Sequence, residues 1–418
     1  MTLYFTELSA EEYAQFESQH ILGTYTQSIE QYNLLIKRNH TPYLLGVKDD
    51  NVIVAASLVM TEMTRLGSVF LFDRGPLIDF SNNVLLSFFI REVRKFARKH
   101  GVLYMQWEPN ITYAKTDDKG NLIENSNDAF LAAMKLHGLE HQPFEFGMST
   151  TGSPSWEYVK NLSDLNDLTD IRKSYGKNVQ YYLKKNQQFG IKLRQLSRED
   201  LPEFKNLTQK TADRLHYHDK DLSFYELLYD TYGDNAKFVF AELNFETYIT
   251  SENQKIDALN QKLLNIQNKI NKYPNQEKFK RQFNEFDDQK QHHIKRVNSA
   301  EEQMAAAGKK IVVVAGALFI QQPQEMTYLY SGTYEMYKDY YGPYQIQDAM
   351  SRAMWVIVTT MITFWILSVI ISLYLANWTL KPILAAYEKQ KEFVENASHE
   401  LRTPLAILQN RLELLFQK

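Results

Sequence analysis

The strongest constraint on the fold is the spacing of apolar residues between positions 256 and 304. The first set recurs every three or four residues, the spacing of a coiled-coil seam, and comprises Ile256, Leu259, Leu263, Ile266, Ile270 and Tyr273. After a break at Pro274, a second set follows in a comparable register: Phe279, Phe283, Phe286, His293, Val297 and Met304. The pattern predicts an antiparallel helical hairpin over residues 246–309, which forms an arm and not a core element.

Strand-like and helical segments alternate before this arm, from residue 1 to about residue 245. Short β-branched or aromatic runs such as "NVIVAASLVM", "GSVFLFD" and "AKFVFAEL" are bounded by Gly, Pro or Asp, as strands often are. Helical patterns lie between them, for example at residues 83–100, 198–215 and 221–232. The alternation predicts an α/β layered fold, and its restart near Ser155 predicts two similar modules in tandem.

Composition limits the chemistry that the chain can carry. The net charge of −3 gives no strong field toward nucleic acid or an anionic surface. Cysteine is absent, which excludes disulfides, thiolate metal sites and a cysteine nucleophile. The N-terminal stretch has neither the basic nor the apolar region of an export signal, so we expect the N-terminal part to be cytosolic.

Residues 353–376, "AMWVIVTTMITFWILSVIISLYLA", are 24 consecutive residues without a charge. A helix of that length can span a bilayer. The alternative is a buried helix of a globular core, but helices that are apolar on every face are rare in soluble domains. We therefore expect a transmembrane helix here.

Two histidine pairs raise the question of a metal site, and neither has a suitable ligand set. His216 and His218 have no carboxylate pattern near them beyond Asp219. His292 and His293 lie on the predicted arm, where the surface of a coiled coil explains them. We expect no metal at either pair.

A histidine near the end of the sequence has the neighbours of a phosphoacceptor. His399 is followed by Glu400, which could take its proton, and by the polar Thr403 one helical turn later. Pro404 would kink the helix beyond the reactive turn. From the spacing alone, a solvated helix that carries a histidine by chance is the better interpretation.

The wider sequence around His399 strengthens the phosphoacceptor interpretation. "FVENASHELRTPLAILQNRLELLF" resembles the phosphoacceptor helix of sensor histidine kinases, and "ANWTLKPI" resembles the linker after their last membrane helix. The resemblance covers residues 352–418 and implies that His399 is phosphorylated, with Glu400 and Thr403 in the acid and polar positions, and that a response regulator receives the phosphate. No ATP-binding segment follows, so we expect ATP to act only through a partner kinase domain.

The N-terminal 350 residues resemble a different family. "DRGPLIDF", "VLYMQWEPNI", "SYGKNVQYYLKKNQQFGIKL", "AKFVFAEL" and "YLYSGTYEMYKDYYGPYQIQ" occur in the order seen in the FemA/FemX/MurM (FemABX) aminoacyltransferases of Gram-positive peptidoglycan bridge synthesis. The resemblance implies transfer of an amino acid from aminoacyl-tRNA, as co-substrate, to the lysine of a muropeptide. The acceptor would be lipid II or UDP-MurNAc-pentapeptide, and no bound cofactor is implied.

The same resemblance implies tandem GNAT-like (acyl-CoA N-acyltransferase-like) modules with an inserted antiparallel coiled-coil arm. The first module would span residues 1–154, and the second residues 155–245 and 310–350, with the arm at 246–309. A transmembrane helix at 353–376 and a partial dimerisation and phosphoacceptor helix at 377–418 would follow. Because the resemblance stops near Met350, we expect the second module to be incomplete and transfer to be impaired. The arm is a candidate contact for a sister transferase.

Candidate binding residues follow from the resemblance and from charge. The family binds the muropeptide diphosphate through a lysine of the first module and a basic residue of the second. "LLIKRNH" offers Lys37, with Arg38 as the alternative, and "LHYHDKDLSFY" offers Lys220. For each of these residues, an ordinary exposed side chain is the competing interpretation.

Residues 171–198 contain no Asp or Glu and eight basic residues. A basic helix of this kind suits tRNA phosphates, a pyrophosphate-linked sugar or an anionic membrane, while a solvated surface helix is the alternative. The candidate phosphate contacts are Lys173, Lys177, Lys184 and Lys185.

The two resemblances make conflicting demands on topology. A phosphoacceptor must meet ATP, so residues 377–418 should be cytoplasmic at the cell membrane, and one membrane helix would then place residues 1–352 outside. Transfer from tRNA requires residues 1–350 inside. We therefore expect the chain to join two incomplete proteins near residues 348–352, as a gene fusion, a deletion product or a sequence-assembly artefact.

Overall fold

A six-stranded mixed sheet organises the N-terminal part of the computed structural model, which describes residues 2–117, 120–144 and 154–340. Its strands are β1 Leu3–Glu7, β2 Tyr43–Asp49, β3 Val52–Thr64, β4 Gly67–Arg74, β5 Leu77–Ile78 and β6 Val102–Pro109. The strand order is β1-β2-β3-β4-β6, with β5 paired to β3. Neighbours are antiparallel except β4 and β6, which run parallel.

Four helices accompany this sheet: α1 Ala10–Glu17, α2 Ile29–Lys37, α3 Asn83–Lys99 and α4 Asp128–Leu136. Helix α3 shows why the sequence folds in this way. The Asn82 side chain caps its start by accepting a hydrogen bond from the Leu85 amide at 3.1 Å. Apolar residues at three- and four-residue spacing, such as Phe89 and Val93, are fully buried in one cluster with Phe72 of β4. Each such ring or branched chain stabilises the fold by about 1.5–3 kcal/mol.

A four-stranded antiparallel sheet follows within the described ranges, in the order β12-β11-β10-β9. The strands are β9 Lys192–Gln195, β10 Ala236–Asn244, β11 Ile311–Gln321 and β12 Met326–Thr333. The intervening helices are α5 Leu168–Lys173, α6 Lys177–Gln188, α7 Leu201–Leu215 and α8 Leu222–Tyr232. A short sheet pairs β7 Lys115–Thr116 with β8 Leu122–Glu124, and 3-10 turns lie at Tyr25–Gln27, Arg198–Asp200, Gly233–Asn235 and Glu335–Tyr340.

Several aromatic rings pack together in the core beneath this second sheet. Phe204 of α7 is fully buried, and its ring centroid lies 5.3 Å from that of Tyr225 on α8 and 5.1 Å from that of Phe238 on β10. Edge-to-face pairs of this kind add to the stabilisation from burial. They fix α7 and α8 against the sheet and, with them, the segment that joins the two helices.

Two long helices, α9 Phe245–Lys272 and α10 Glu277–Ala307, separate β10 from β11. They run antiparallel, because Glu252 near the start of α9 contacts His293 in the second half of α10. The seam residues Leu259, Leu263 and Ile266 are buried between them.

The structure corrects the interpretation of His293 as a surface residue of the arm. Its side chain is 20% exposed, and its Nδ1 lies 2.6 Å from the Glu252 carboxylate, which is fully buried. Lys255 also pairs with Glu252, and Arg296 lies 3.8 Å from it. A buried carboxylate is costly unless it is paired, so these cations stabilise Glu252 between the two helices.

No helix among residues 2–117, 120–144 and 154–340 is long and apolar enough to cross a bilayer. The predicted transmembrane segment at 353–376 lies outside the described residues, and so does the segment at 377–418 with His399, Glu400 and Thr403.

Candidate functional site

The two sheets meet where α2 packs against α8. The Tyr232 hydroxyl at the end of α8 donates to Gln31 Oε1 at 3.0 Å and contacts the Tyr25 carbonyl at 3.2 Å. Beside this contact, Lys37 Nζ donates to Thr231 Oγ1 at 2.9 Å. These hydrogen bonds join residues about two hundred positions apart and fix the walls of a cavity between the two helices.

A cavity of about 150 Å³ opens at this junction. The side chains that line it are mostly aromatic or aliphatic, with two cations: Tyr25, Gln31, Leu34, Arg38, Lys220, Phe224, Leu228, Tyr232, Ile320, Leu329 and Tyr330. Both cations lie against one ring, because Arg38 Cζ is 5.3 Å and Lys220 Nζ is 5.7 Å from the centroid of Phe224. Such contacts hold a cation over an aromatic face.

No carboxylate is among the described residues that line this cavity. Two positive charges therefore share a small space without a neutralising group in the wall, an arrangement that favours an anion. Burial raises the pKa of the Tyr25 hydroxyl to about 12, with a contribution from Tyr330, and burial raises the pKa of Tyr330 as well. Both phenols thus stay protonated near neutral pH and can donate hydrogen bonds.

The structure places the two candidate basic residues of the first module, Lys37 and Arg38, in different surroundings. Arg38 ends α2 and lines the cavity, whereas Lys37 is bonded to Thr231 and is not part of the lining. The fold also brings Lys220, from the segment between α7 and α8, to the same cavity as Arg38. The sequence did not predict the aromatic walls of the cavity, although one of their residues, Phe224, lies in the quoted stretch "LHYHDKDLSFY".

Two carboxylates lie side by side near the cavity, at the ends of β4 and β6. Asp73 and Glu108 are register partners across the parallel pair. Burial, together with the neighbouring charges of Glu108 and Glu62, raises the pKa of Asp73 to about 6. The 3-10 turn Tyr25–Gln27 is joined to the end of β4, because Gln27 Nε2 donates to the Asp73 carbonyl at 2.8 Å.

A close backbone approach explains the glycine of "DRGP". A Cβ at Gly75 would lie 2.7 Å from the Nε2 of Gln27 and 2.7 Å from the Oγ of Ser57. Sequence reasoning used this motif for the resemblance but did not predict the carboxylate pair beside it.

Residues 171–198 do not form the single basic helix that the sequence suggested. They divide into the end of α5, the helix α6 and the strand β9, with Gly176 as the residue before α6 and a turn at Gly190 before β9. Gly190 has φ of 71°, a conformation that favours glycine.

The basic residues of this stretch also differ in their surroundings. Arg194 pairs with Glu242 at 2.7 Å and Asp200 at 2.8 Å. Lys173, Lys177 and Lys184 are exposed. Lys185 is partly buried over the Phe189 ring at 5.5 Å, and burial, with nearby Arg296, lowers its pKa. The exposed lysines of α5 and α6 therefore remain the accessible phosphate candidates.

One histidine of the pair that follows α7 has a structural role. His216 ends the helix in the left-handed conformation with φ of 60°, and Asp219 is bonded to neighbouring side chains instead of facing the histidines. Among the described residues, no group of three or more His, Asp or Glu side chains could hold a metal ion.

Comparisons with known proteins agree with this architecture. Residues 8–354 match the FemAB family, and residues 389–418 match the His Kinase A (phospho-acceptor) domain. Aminoacyltransferase FemA from Staphylococcus aureus strains RF122 and N315 is 29% identical to this chain over 355 residues, which cover 83% of each protein.

The crystal structure of FemX superposes with a TM-score of 0.59 at 17% identity, over 84% of this chain and 85% of that one. That likeness shows a shared mixed α/β fold. With the family match over most of its length, the chain belongs to the FemAB family.

Proposed function

We infer that this chain is an aminoacyltransferase of peptidoglycan interpeptide bridge synthesis. It moves an amino acid from aminoacyl-tRNA to the lysine of a lipid- or UDP-linked muropeptide. Family membership and the FemA relatives support the reaction class. The observation that carries the acceptor assignment is the cavity in which Arg38 and Lys220 meet without a carboxylate in the lining.

The reaction joins an amine to an activated ester. The neutral ε-amine of the acceptor lysine attacks the ester carbonyl of the aminoacyl-tRNA, an amide bond forms, and the ester bond to the tRNA ribose breaks. The amine loses a proton and the ribose hydroxyl gains one. The step needs no redox group, so orientation of the two substrates is the main task of the protein.

Charge placement supports a site for each substrate. Arg38 and Lys220 suit the two phosphates of the acceptor, because guanidinium and ammonium groups bind phosphate oxygens in charge-assisted hydrogen bonds. The exposed lysines Lys173, Lys177 and Lys184 suit the tRNA backbone, with Lys185 beside them. The two sheets would then be the tandem GNAT-like modules at 1–154 and at 155–245 with 310–350, and the coiled-coil arm at 246–309 would be available to a sister transferase.

Transfer by the full chain is the direct test. A pool of tRNA charged with labelled amino acids is mixed with the chain and with UDP-MurNAc-pentapeptide or lipid II in detergent. We expect label on the acceptor lysine, identified by mass spectrometry. An acceptor whose ε-amine is acetylated is the matched control and should stay unlabelled. Absence of label on both acceptors across the whole tRNA pool would contradict the proposal.

The match over residues 389–418 favours a second candidate function for the C-terminal segment. His399 would accept a phosphoryl group, with Glu400 as its base and Thr403 beside it, when a partner kinase domain supplies ATP, and would pass it to a response regulator. The predicted helix at 353–376 would hold this segment at the cytoplasmic face of the cell membrane.

Phosphorylation in trans tests this second candidate. With a complete sensor kinase and labelled ATP, the full chain should gain phosphate that is labile in acid and stable in base. A His399→Gln variant should gain none. Equal labelling of the unmodified chain and the His399→Gln variant, or no labelling of either, would contradict the phosphoacceptor role of His399.

A further inference from the structure

A buried carboxylate lies directly beside one of the two cavity cations. Asp219 precedes Lys220 in the segment that joins α7 to α8, and its side chain is only 3% exposed. Its Oδ2 accepts hydrogen bonds from Lys205 Nζ at 2.6 Å and from Thr208 Oγ1 at 2.7 Å, both on α7. Its Oδ1 accepts from the Tyr225 hydroxyl on α8 at 2.8 Å. The Asp219 carboxylate therefore links α7 and α8, and it belongs to the residue directly before Lys220.

The network is built for the ionised form of Asp219. Burial alone would raise the pKa of this carboxyl, but the hydrogen bonds from Lys205, Thr208 and Tyr225, together with the Lys220 amide, lower it below its usual range. An ionised acceptor with three side-chain donors is a strong and well-oriented contact. The carboxylate is therefore a fixed point in a segment whose neighbours, such as Tyr217 and His218, are exposed.

The same network also reaches the aromatic wall of the cavity. The ring centroid of Tyr225 lies 5.7 Å from that of Tyr330, which lines the cavity. Phe224, the ring under both cations, is the residue before Tyr225 on α8. Holding the Tyr225 hydroxyl thus orients the first turn of α8, on which Phe224 stands and which begins two residues after Lys220.

We propose that Asp219 is a positioning residue, which acts through Lys220 to hold its ammonium group at the cavity for an anionic group of the acceptor. The inference rests on the proposed function, because it takes a phosphate-bearing acceptor as the ligand. Asp219 itself does not line the cavity. Its effect comes from fixing the backbone of Lys220 and the first turn of α8, since both helices are bonded to one carboxylate.

The sign of the expected effect separates positioning from simple charge. Removal of a negative charge near the cavity would strengthen the binding of an anion if only the electric field mattered. If Asp219 positions Lys220, its neutralisation should weaken anion binding instead. The two explanations therefore predict opposite changes for the same Asp219→Asn variant.

Binding of inorganic pyrophosphate to the full chain, measured by titration calorimetry, tests the proposal. Lys220→Ala should bind about tenfold more weakly than the unmodified chain, as expected for one charge-assisted contact. Asp219→Asn should lower the affinity for pyrophosphate several-fold. Tyr225→Phe, which keeps the ring and removes one hydrogen bond, should lower this affinity less. In the Lys220→Ala background, Asp219→Asn should cause no further loss, because residues that act through one group are not additive.

Thr211→Val is the matched control, because Thr211 is a buried hydroxyl on α7 that bonds to the Leu207 and Thr333 carbonyls and not to Asp219. It should bind pyrophosphate like the unmodified chain. Unchanged or tighter binding by Asp219→Asn, or an equal loss in both backgrounds, would overturn the positioning role alone. Absence of binding by the unmodified chain would overturn the phosphate assignment of the cavity and this inference with it.

Discussion

Replacement of both Arg38 and Lys220 by alanine is expected to lower acceptor-dependent transfer by about a hundredfold or more. Each substitution removes one charge-assisted contact with the acceptor, and each lost contact should weaken acceptor binding about tenfold. The loss should appear mainly as a higher KM for the acceptor, because the contacts bind a part of the substrate that does not react. The KM for aminoacyl-tRNA should stay within about twofold, since the exposed lysines of α5 and α6 are untouched.

Steady-state transfer with UDP-MurNAc-pentapeptide measures this effect. Lys37→Ala is the matched control, because Lys37 is adjacent to Arg38 but bonds to Thr231 and does not line the cavity. Arg38→Lys and Lys220→Arg keep the charges and should recover part of the activity. If Lys37→Ala impaired transfer as much as the double variant, the acceptor would not occupy this cavity.

The elements of the fold could be predicted from local patterns. The predicted helix at residues 83–100 is observed as Asn83–Lys99, and the run "AKFVFAEL" lies within the strand Ala236–Asn244. Periodicity and capping residues act over one or two turns, so they are visible in a single sequence. The split of residues 171–198 was not predicted, although Gly190, whose φ is positive, is of a residue type that often marks a turn.

The candidate site could be predicted only in part. Lys220 and Arg38 were proposed through resemblance, but nothing local in either stretch shows that they meet on the ring of Phe224. Tyr330 and Tyr25 are brought there by the packing of β12 and a 3-10 turn that lie about three hundred residues apart in the chain. Contacts of that sequence separation depend on the whole topology. Similarly, the sequence gives no sign that Asp219 is more than an ordinary acidic loop residue, because its three side-chain donors are revealed only by the structure.

Replacement of Glu17 by glutamine is expected to stabilise the chain above pH 7. Glu17 ends α1, is 4% exposed, and has one carboxylate oxygen without a partner among the described residues. Burial is the main cause that raises its pKa to about 7; the hydrogen bond from the Ile29 amide opposes the rise and the charge of Glu30 contributes to it. The folded protein therefore holds a proton on this carboxyl more tightly than the unfolded chain does.

The sign of the pH dependence follows from linkage. Below pH 4.5, the pKa of the unfolded chain, the Glu17 carboxyl is protonated in both the folded and the unfolded state, so its ionisation does not change the free energy of unfolding. As the pH rises from there toward about 7, the unfolded chain releases the proton first, so the free energy of unfolding falls. Above pH 7 the folded state must bury a charge, at a cost of about 3 kcal/mol for a rise of the pKa from 4.5 to about 7. Glutamine removes that cost because it does not ionise.

Urea unfolding at pH 5 and pH 8 measures the difference. The free energy of unfolding of the Glu17→Gln variant should exceed that of the unmodified chain by about 3 kcal/mol at pH 8 and by much less at pH 5. Glu11→Gln is the matched control, because Glu11 is an exposed glutamate of the same helix, and its change should stay within about 0.5 kcal/mol. An equal gain at both pH values would mean that ionisation of Glu17 is not the cause. Because Gln324, in the turn between β11 and β12, donates to the carbonyls of Ser18 and His20 beside Glu17, relief of this buried charge should also strengthen the junction between the two sheets.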